Sequence, residues 1–468
     1  MEKRRKIRTE QKPGKQAPVR IPAQGLPVLN RNVAGIDVGS TEHWVACPPK
    51  PDGTTNVKCF GTRTCDLEEL AGWLKSEGVE SVAMESTGVY WIPLYELLES
   101  QGFDVLLGNA KQFSNVPGKK TDMQDCQWIQ LLHSCGLLRG SFRPSEDICQ
   151  LRAIMRECTN LIDERTRAVQ RMQKALDQMN VQVHRAVSDI TGTTGMNIIR
   201  AIVAGERDPL VLAGHRDKRC RKSEAAFAEY LRGTWREEHL FNLAMNLELY
   251  DKLNEMVDTY QQKITELMQK LEPEERQDQQ PPDHPNEKKA KSIRKCGEEG
   301  TRQALWRFSG VDLTRIDAIN TGAAITVLTE VGFDLNDFPT EKHFVSWLRL
   351  GPYRPVSGGK VLKKKRNAVG ATRIANVLRM AALCLERSQT ALGAQFRRLS
   401  RRKGRSVAVF AMARRLATLI YRMLRYGQDY VDQGVDAYEA RFKAKRLHNI
   451  RSVVKQMGYK LEPIEAIA

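Results

Sequence analysis

Four carboxylates and one serine carry the chemistry that this sequence can support. Asp37 sits inside the apolar run Val33–Val38, Glu85 closes a second apolar run, Ser81–Glu85, and Asp122 and Asp125 lie at the start of a helical segment. An unpaired carboxylate in a buried strand costs about 3 kcal/mol or more, so Asp37 needs compensation. A divalent ion provides it, because hard cations such as magnesium take oxygen ligands from one or two carboxylates each. Two such ions about 4 Å apart clamp the attacking and leaving oxygens of a phosphodiester, a chemistry that needs acids converging from separate elements. Each acid also has a plainer reading. Asp37 could be a strand-end turn residue, Glu85 a loop acid before Ser86-Thr87-Gly88, and Asp122 with Asp125 only the negative charge that a helix N-terminus favours.

The serine is Ser357, in Val356-Ser357-Gly358-Gly359-Lys360, followed by Lys363-Lys364-Lys365-Arg366. Glycines let backbone N–H groups approach a ligand, and the cations supply charge where a phosphate would sit. A serine there either donates a hydrogen bond or attacks phosphorus as a nucleophile. Lys360, Lys363, Lys364, Lys365 and Arg366 suit phosphate contact better than base reading. Taken alone, the stretch also reads as a solvated basic turn.

The elements that must position these groups are legible in part. Val33–Val38, His43 to Cys47 and Thr55 to Phe60 are β-rich and separated by turn residues, which predicts an antiparallel meander. Helical spacing of Leu67, Leu70, Trp73 and Leu74 predicts a helix over 66–76. The strand ending at Glu85, a helix from Trp91 to Ser100 and a strand from Phe103 to Leu107 follow. This alternation predicts an α/β domain with a mixed sheet, and the order of the acids matches a ribonuclease H-like fold. Thr121-Asp122-Met123-Gln124 fits a capping box, so a helix should run from Asp122 to about Leu138, with Asp122 and Asp125 on one face.

Glu146 to about Val187 is long charged helix whose apolar seam (Leu151, Ile154, Cys158, Leu161, Met172, Ala175, Met179) is interrupted by Arg165. It predicts a coiled-coil hairpin with Phe241 to Leu271 as the returning arm and a small helical cap over 191–239. Pro273, Pro281, Pro282 and Pro285 among charged residues predict a linker at the main domain boundary. Leu313 to Val331 reads as two helices around a glycine turn, Thr372 to Arg387 as an apolar helix, and 397–426 as an arginine-rich helical surface. The resulting division is a flexible basic arm (1–31), the acid-bearing domain (32–144), a coiled-coil insertion (145–272), a linker (273–300), a mainly helical serine-bearing domain (301–430) and a C-terminal tail (431–468).

The chain of 468 residues holds 74 Lys+Arg against 56 Asp+Glu, a net charge of +18. That excess favours a polyanionic partner, with nucleic acid as the default. No apolar run is long enough to span a membrane, and the basic start has no secretory pattern. Ten cysteines are scattered singly without zinc spacing, the pattern of reduced thiols in a cytosolic protein.

The pieces GIDVGSTEHWV, VAMESTGVYW, KKTDMQDCQWIQ and SWLRLGPYRPVSGGK occur in the order seen in DEDD-type transposases of the IS-one-ten and IS-eleven-eleven insertion-sequence families, which the chain resembles from Val33 to Tyr430. The resemblance implies a RuvC-like domain whose metal-holding acids match Asp37, Glu85, Asp122 and Asp125, and a transposase domain whose nucleophilic serine matches Ser357. It implies magnesium in a two-ion site, with manganese as the alternative ion. It further implies a covalent phosphoserine link, a bridge RNA that pairs with donor and target double-stranded DNA, and homodimers that assemble into a homotetramer. The implied place of action is the bacterial cytoplasm, at the nucleoid. Two departures are visible. Val356 stands where relatives often carry an additional serine, and Cys126 replaces the usual alanine, an exchange expected to have no consequence. Two other readings remain open: a Holliday-junction resolvase-like nuclease using water, and a nucleic-acid-binding scaffold with an inactive nuclease domain.

Overall fold

The computed structural model describes residues 27–86, 88–109, 122–218, 223–351, 356–357, 360–361, 372–427 and 434–462. It divides into two compact units, one up to Arg143 and one from Pro144. In the first unit, strands β1 (Val33–Val38), β2 (Glu42–Cys47) and β3 (Asn56–Gly61) form the predicted antiparallel meander. Helix α1 (Thr64–Ser76) begins slightly before the expected 66, because the Asp66 carboxylate accepts the Arg63 N–H at 3.0 Å and closes a capping box. Strand β4 (Ser81–Glu85), helix α2 (Trp91–Ser100) and strand β5 (Asp104–Gly108) follow, all close to their expected bounds. The sheet order is β3-β2-β1-β4-β5, with β4 parallel to both β1 and β5.

Strand alternation sorts the side chains onto two faces. Ile36, Val45, Val82 and Met84 share one core with Leu70 and Leu74 of α1 and with Leu94 and Leu98 of α2. Helix α3 (Asp122–Ser134) serves the other face, where Ile129 and Leu132 pack with Ala83. It stops short of Leu138. Gly136 adopts φ +65°, so its N–H returns to the His133 carbonyl at 3.0 Å and that of Leu137 to Leu132 at 3.0 Å. Thr121, the expected N-cap, lies outside the described residues.

In the second unit, helices α4 (Glu146–Gln178) and α5 (Glu237–Lys270) pair along their apolar seams. Arg165 does not break that seam; it donates to Asn254 Oδ1 at 2.9 Å, while Arg171 donates to Asn246 Oδ1 at 2.8 Å. Their partners run in reverse order, so the helices are antiparallel. Helix α4 ends before the expected Val187, because Asn180 takes φ +60° and the chain turns into the short helix Val183–Ala186. The cap over 191–239 is helical as expected, burying Ile198, Ile199, Leu212 and Phe227 with Met172 and Leu243.

The expected linker over 273–300 is instead folded onto its neighbours. It contains helix α6 (Glu287–Lys295), capped by Asn286. His284 is buried with Nε2 at 3.1 Å from the Thr314 carbonyl, and Lys289 donates to the carbonyls of Thr314 and of Ile316, the latter at 2.8 Å. The prolines precede the helix, where a missing N–H costs little, and the polar side chains satisfy carbonyls of the next segment. That segment is not a helix pair. Its first half is a single 3-10 turn, Leu313–Arg315, and Gly322 lies in the first turn of helix α7 (Thr321–Val331), capped by Asn320 at 2.9 Å. Near the end of α7, the buried Glu330 receives Arg156 through two bonds of 2.9 and 2.7 Å, and its carbonyl accepts from Arg152.

Strands β6 (Val356–Ser357) and β7 (Lys360–Val361) pair antiparallel, so the expected loop at Ser357 is a hairpin. Helices α8 (Arg373–Cys384), α9 (Ala391–Lys403) and α10 (Arg405–Tyr426) complete the apolar and arginine-rich segments. Several of those arginines are internal ties rather than free surface charge. Arg397 donates to the Ser388 carbonyl at 2.6 Å, Arg422 to Glu341 at 2.7 Å, and Arg398 stacks on Phe442 at 3.4 Å from its centroid. The expected tail contains helix α11 (Val435–Gln456). No described helix is long and apolar enough to cross a membrane.

Removing the Glu330 carboxylate takes the acceptor from the half-exposed Arg156 and the nearby charge from Arg152, so Glu330→Ala should lower unfolding free energy by about 1–2 kcal/mol in urea titrations. Lys289 gives a pH signature. Burial pushes its amine down to about 8, with Asp317 and Asp312 acting in the opposite direction. The unfolded chain then holds this proton more tightly than the folded chain, so the contribution of Lys289 to stability rises between about pH 8 and the normal lysine value of about 10.4. The melting temperature of the parent protein should gain on that of Lys289→Met across this window.

Candidate active site

The acid-bearing edge is built on Gly35. Its neighbour Ile36 belongs to the core of α1 and α2, so Gly35 and Asp37 occupy the opposite face of β1, the one that α3 serves. A methyl group added at Gly35 would stand 2.2 Å from the Gln130 backbone nitrogen and 2.5 Å from the Cys126 carbonyl oxygen. No larger residue fits there with α3 in place. This close approach fixes the first turns of α3 against the end of β1 and places Asp125 in the neighbourhood of Asp37. The Gln130 side chain adds a 3.4 Å hydrogen bond to the Val33 carbonyl.

Cys126 reports the charge at this point. It is fully buried, its Sγ donates to the Met123 carbonyl at 3.2 Å, and its thiol is pushed up to about 12, first by burial and then by the negative charge of Asp37, with Asp125 adding to it. The exchange expected to be inconsequential therefore puts a neutral thiol between helix and sheet, beside two of the acids.

Glu85 reaches the same edge from β4. Ala83 packs with Ile129 of α3, and Glu85 lies two residues further along, on that same face. Strand β4 runs parallel beside β1, with Ile36 opposite Met84, so Asp37 and Glu85 stand at corresponding carboxyl-terminal positions. Open α/β sheets place ligands at such ends. Asp122 opens α3 in the backbone, though its side chain lies outside the described ones. Among the described residues no group of three or more His, Cys, Asp or Glu side chains is arranged to hold a metal. Asp37, Glu85 and Asp125 are oxygen donors, a chemistry that fits a hard divalent cation rather than zinc. His43 pairs with Val38 in register and lies two residues before Val45, on the face of the α1 and α2 core, so it is not part of the set.

Ser357 belongs to the second unit, on β6, opposite Lys360 in the hairpin. Gly358 and Gly359 between the strands, and Lys363, Lys364, Lys365 and Arg366 beyond them, lie outside the described residues, as do the side chains of Ser357 and Lys360.

A transposase family model of the DEDD, IS110 type matches residues 34–181, and a second model, described as Transposase IS116/IS110/IS902 family, matches residues 311–397. The chain belongs to the IS110-family transposases. Together the two matches span half of its length, and no curated protein matches it. The transposase is thus an enzyme of DNA transposition and recombination for an insertion sequence, and a DEDD domain implies dependence on a divalent metal such as Mg2+. The first match contains all four acids and the second contains Ser357.

Sequence reading missed two contributors. Gly35 carries no chemistry of its own, and its only signal is a small residue two places before Asp37. Glu330 carries no local mark in the sequence of its partners on α4. In the transposase, Gly35→Ala should cost about 2–3 kcal/mol in urea unfolding by overpacking. DNA strand cleavage should fall at least about tenfold, since small misplacements of reacting groups are that costly, while gel-shift affinity for DNA stays near the parent value.

Proposed function

We propose that the transposase joins DNA strands through Ser357, aided by divalent metal held at Asp37, Glu85, Asp122 and Asp125. What supports this reading is that Asp37 and Glu85 stand at corresponding positions of parallel neighbouring strands, and that Asp37 and Asp125 both act on Cys126, in a chain whose second family match contains Ser357. The strand order β3-β2-β1-β4-β5 supports a ribonuclease H-like assignment for the first unit.

In this mechanism, Ser357 Oγ loses its proton and forms a bond to phosphorus, and one deoxyribose oxygen leaves as a hydroxyl. The strand remains attached to the protein as a phosphoserine ester. A hydroxyl of another strand then attacks the same phosphorus, which restores a phosphodiester and frees the serine. Lys360, Lys363, Lys364, Lys365 and Arg366 hold the phosphate backbone, and the glycine pair admits it closely. The metal, when bound, neutralises charge on the phosphate oxygens.

Sequence choice is delegated to a bridge RNA that pairs with donor and target DNA, leaving the protein to grip backbone and shape. The net charge of +18 supports a load of two nucleic acids. Homodimers pair into a tetramer, so that two duplexes meet in one assembly.

Ser357→Ala and Asp37→Asn separate this mechanism from its rival. On denaturing gels, the parent protein with Mg2+ should yield a covalent protein–DNA adduct and exchanged strands. Ser357→Ala should yield neither, with strand exchange reduced by about a thousandfold or more. Continued cutting by Ser357→Ala, with no adduct in the parent, would instead establish the resolvase-like reaction with water. Sequencing of co-purified RNA tests the guide, which should contain loops complementary to both DNA sites.

A further inference from the structure

We propose that helix α11 is a DNA-backbone clamp, carried by a basic stripe that lies beyond both family matches. The proposal rests on DNA being the substrate and is independent of the acid edge and of Ser357. Arg441, Lys445, His448, Arg451 and Lys455 follow one another at steps of four, three, three and four, which puts them on one face of the helix. All are exposed, and no residue of α11 is buried. Among the described residues, none of the four lysines and arginines in the stripe forms an ion pair, and the acids of α11, Asp436 and Glu439, lie N-terminal to it. At about 1.5 Å per residue the stripe is about 21 Å long, enough to follow or cross a duplex groove.

The helix is held at its first turns. Arg398 of α9 lies over the rings of Tyr438 and Phe442, at 4.8 and 3.4 Å. Tyr438 and Phe442 flank the amino-terminal end of the stripe, three residues before Arg441 and Lys445, and the stripe residues stay exposed with the helix anchored there. Last-turn residues Arg401, Arg402 and Lys403 of α9, the helix that α11 packs against, are also exposed.

A plain solvated helix is the competing account, and charge placement argues against it. Like charges three or four residues apart destabilise a helix in isolation, and Arg441 with Lys445 and Arg451 with Lys455 are two such pairs. With no buried residue to offset the repulsion, a polyanion supplies what the fold does not. A second copy would bring an identical positive stripe, so self-association through this face is disfavoured. DNA, the enzyme's substrate, has the required charge density.

The test uses the full-length protein with R441Q/K445Q/R451Q/K455Q and a fluorescent duplex of arbitrary sequence, read by anisotropy across about 50 to 300 mM salt. Binding at about 100 mM salt should weaken at least about tenfold, and the log–log salt slope should become shallower by about three. The charge-retaining variant R441K/K445R/R451K/K455R should restore both. An unchanged slope in the glutamine variant overturns the clamp. So does an equal loss in the charge-retaining variant, or a loss confined to single-stranded RNA or to phosphatidylserine vesicles.

Discussion

Everything at the candidate site depends on how closely one helix backbone lies against one strand. At Gly35 the space between β1 and α3 is smaller than a methyl group, with backbone atoms of Cys126 and Gln130 as the opposing wall. Backbone atoms cannot rotate away as a side chain can, so the spacing is fixed by covalent geometry and packing. Asp125, one residue before Cys126, therefore cannot drift from the end of β1 without moving all of α3. This contact and the parallel pairing of β4 with β1 set where Asp37, Glu85 and Asp125 lie.

That contact also sets the electrostatics. Asp37 and Glu85 lie at or next to the carboxyl ends of their strands and are half-buried. Cys126, beside the acids, and Cys47, in the core of the opposite face, are both buried, and burial pushes their thiols up to about 12. Both therefore remain neutral at physiological pH, and no thiolate competes with the carboxylates for a hard ion. The arrangement suits a site that must hold negative charge and then share it with phosphate.

The second unit is stabilised by long-range polar ties. Glu330 secures α7 to α4, Lys289 and His284 secure the proline-rich segment to the turn at Leu313–Arg315, and the Tyr421 hydroxyl donates to the Phe338 carbonyl at 2.6 Å. Each joins segments that leave backbone or charge unsatisfied when considered singly. Together they connect the helical hairpin and the basic helices within one compact unit.

The sequence alone determined the local elements. Alternating apolar residues specified the meander and β4, and helical spacing specified α1 and α2. Periodicity is a property of neighbours along the chain, so it survives without tertiary information. Tertiary structure decided what depends on distant partners: the fit of α3 at Gly35, the folding of the segment expected to be a linker, the sorting of Arg397, Arg398 and Arg422 into internal ties, and the exposure of the stripe on α11. A proline-rich charged segment reads as a linker until the carbonyls that it satisfies are in view, and an arginine reads as surface until its acceptor is. Local pattern encodes which way a side chain faces; only the packed fold supplies what it meets there.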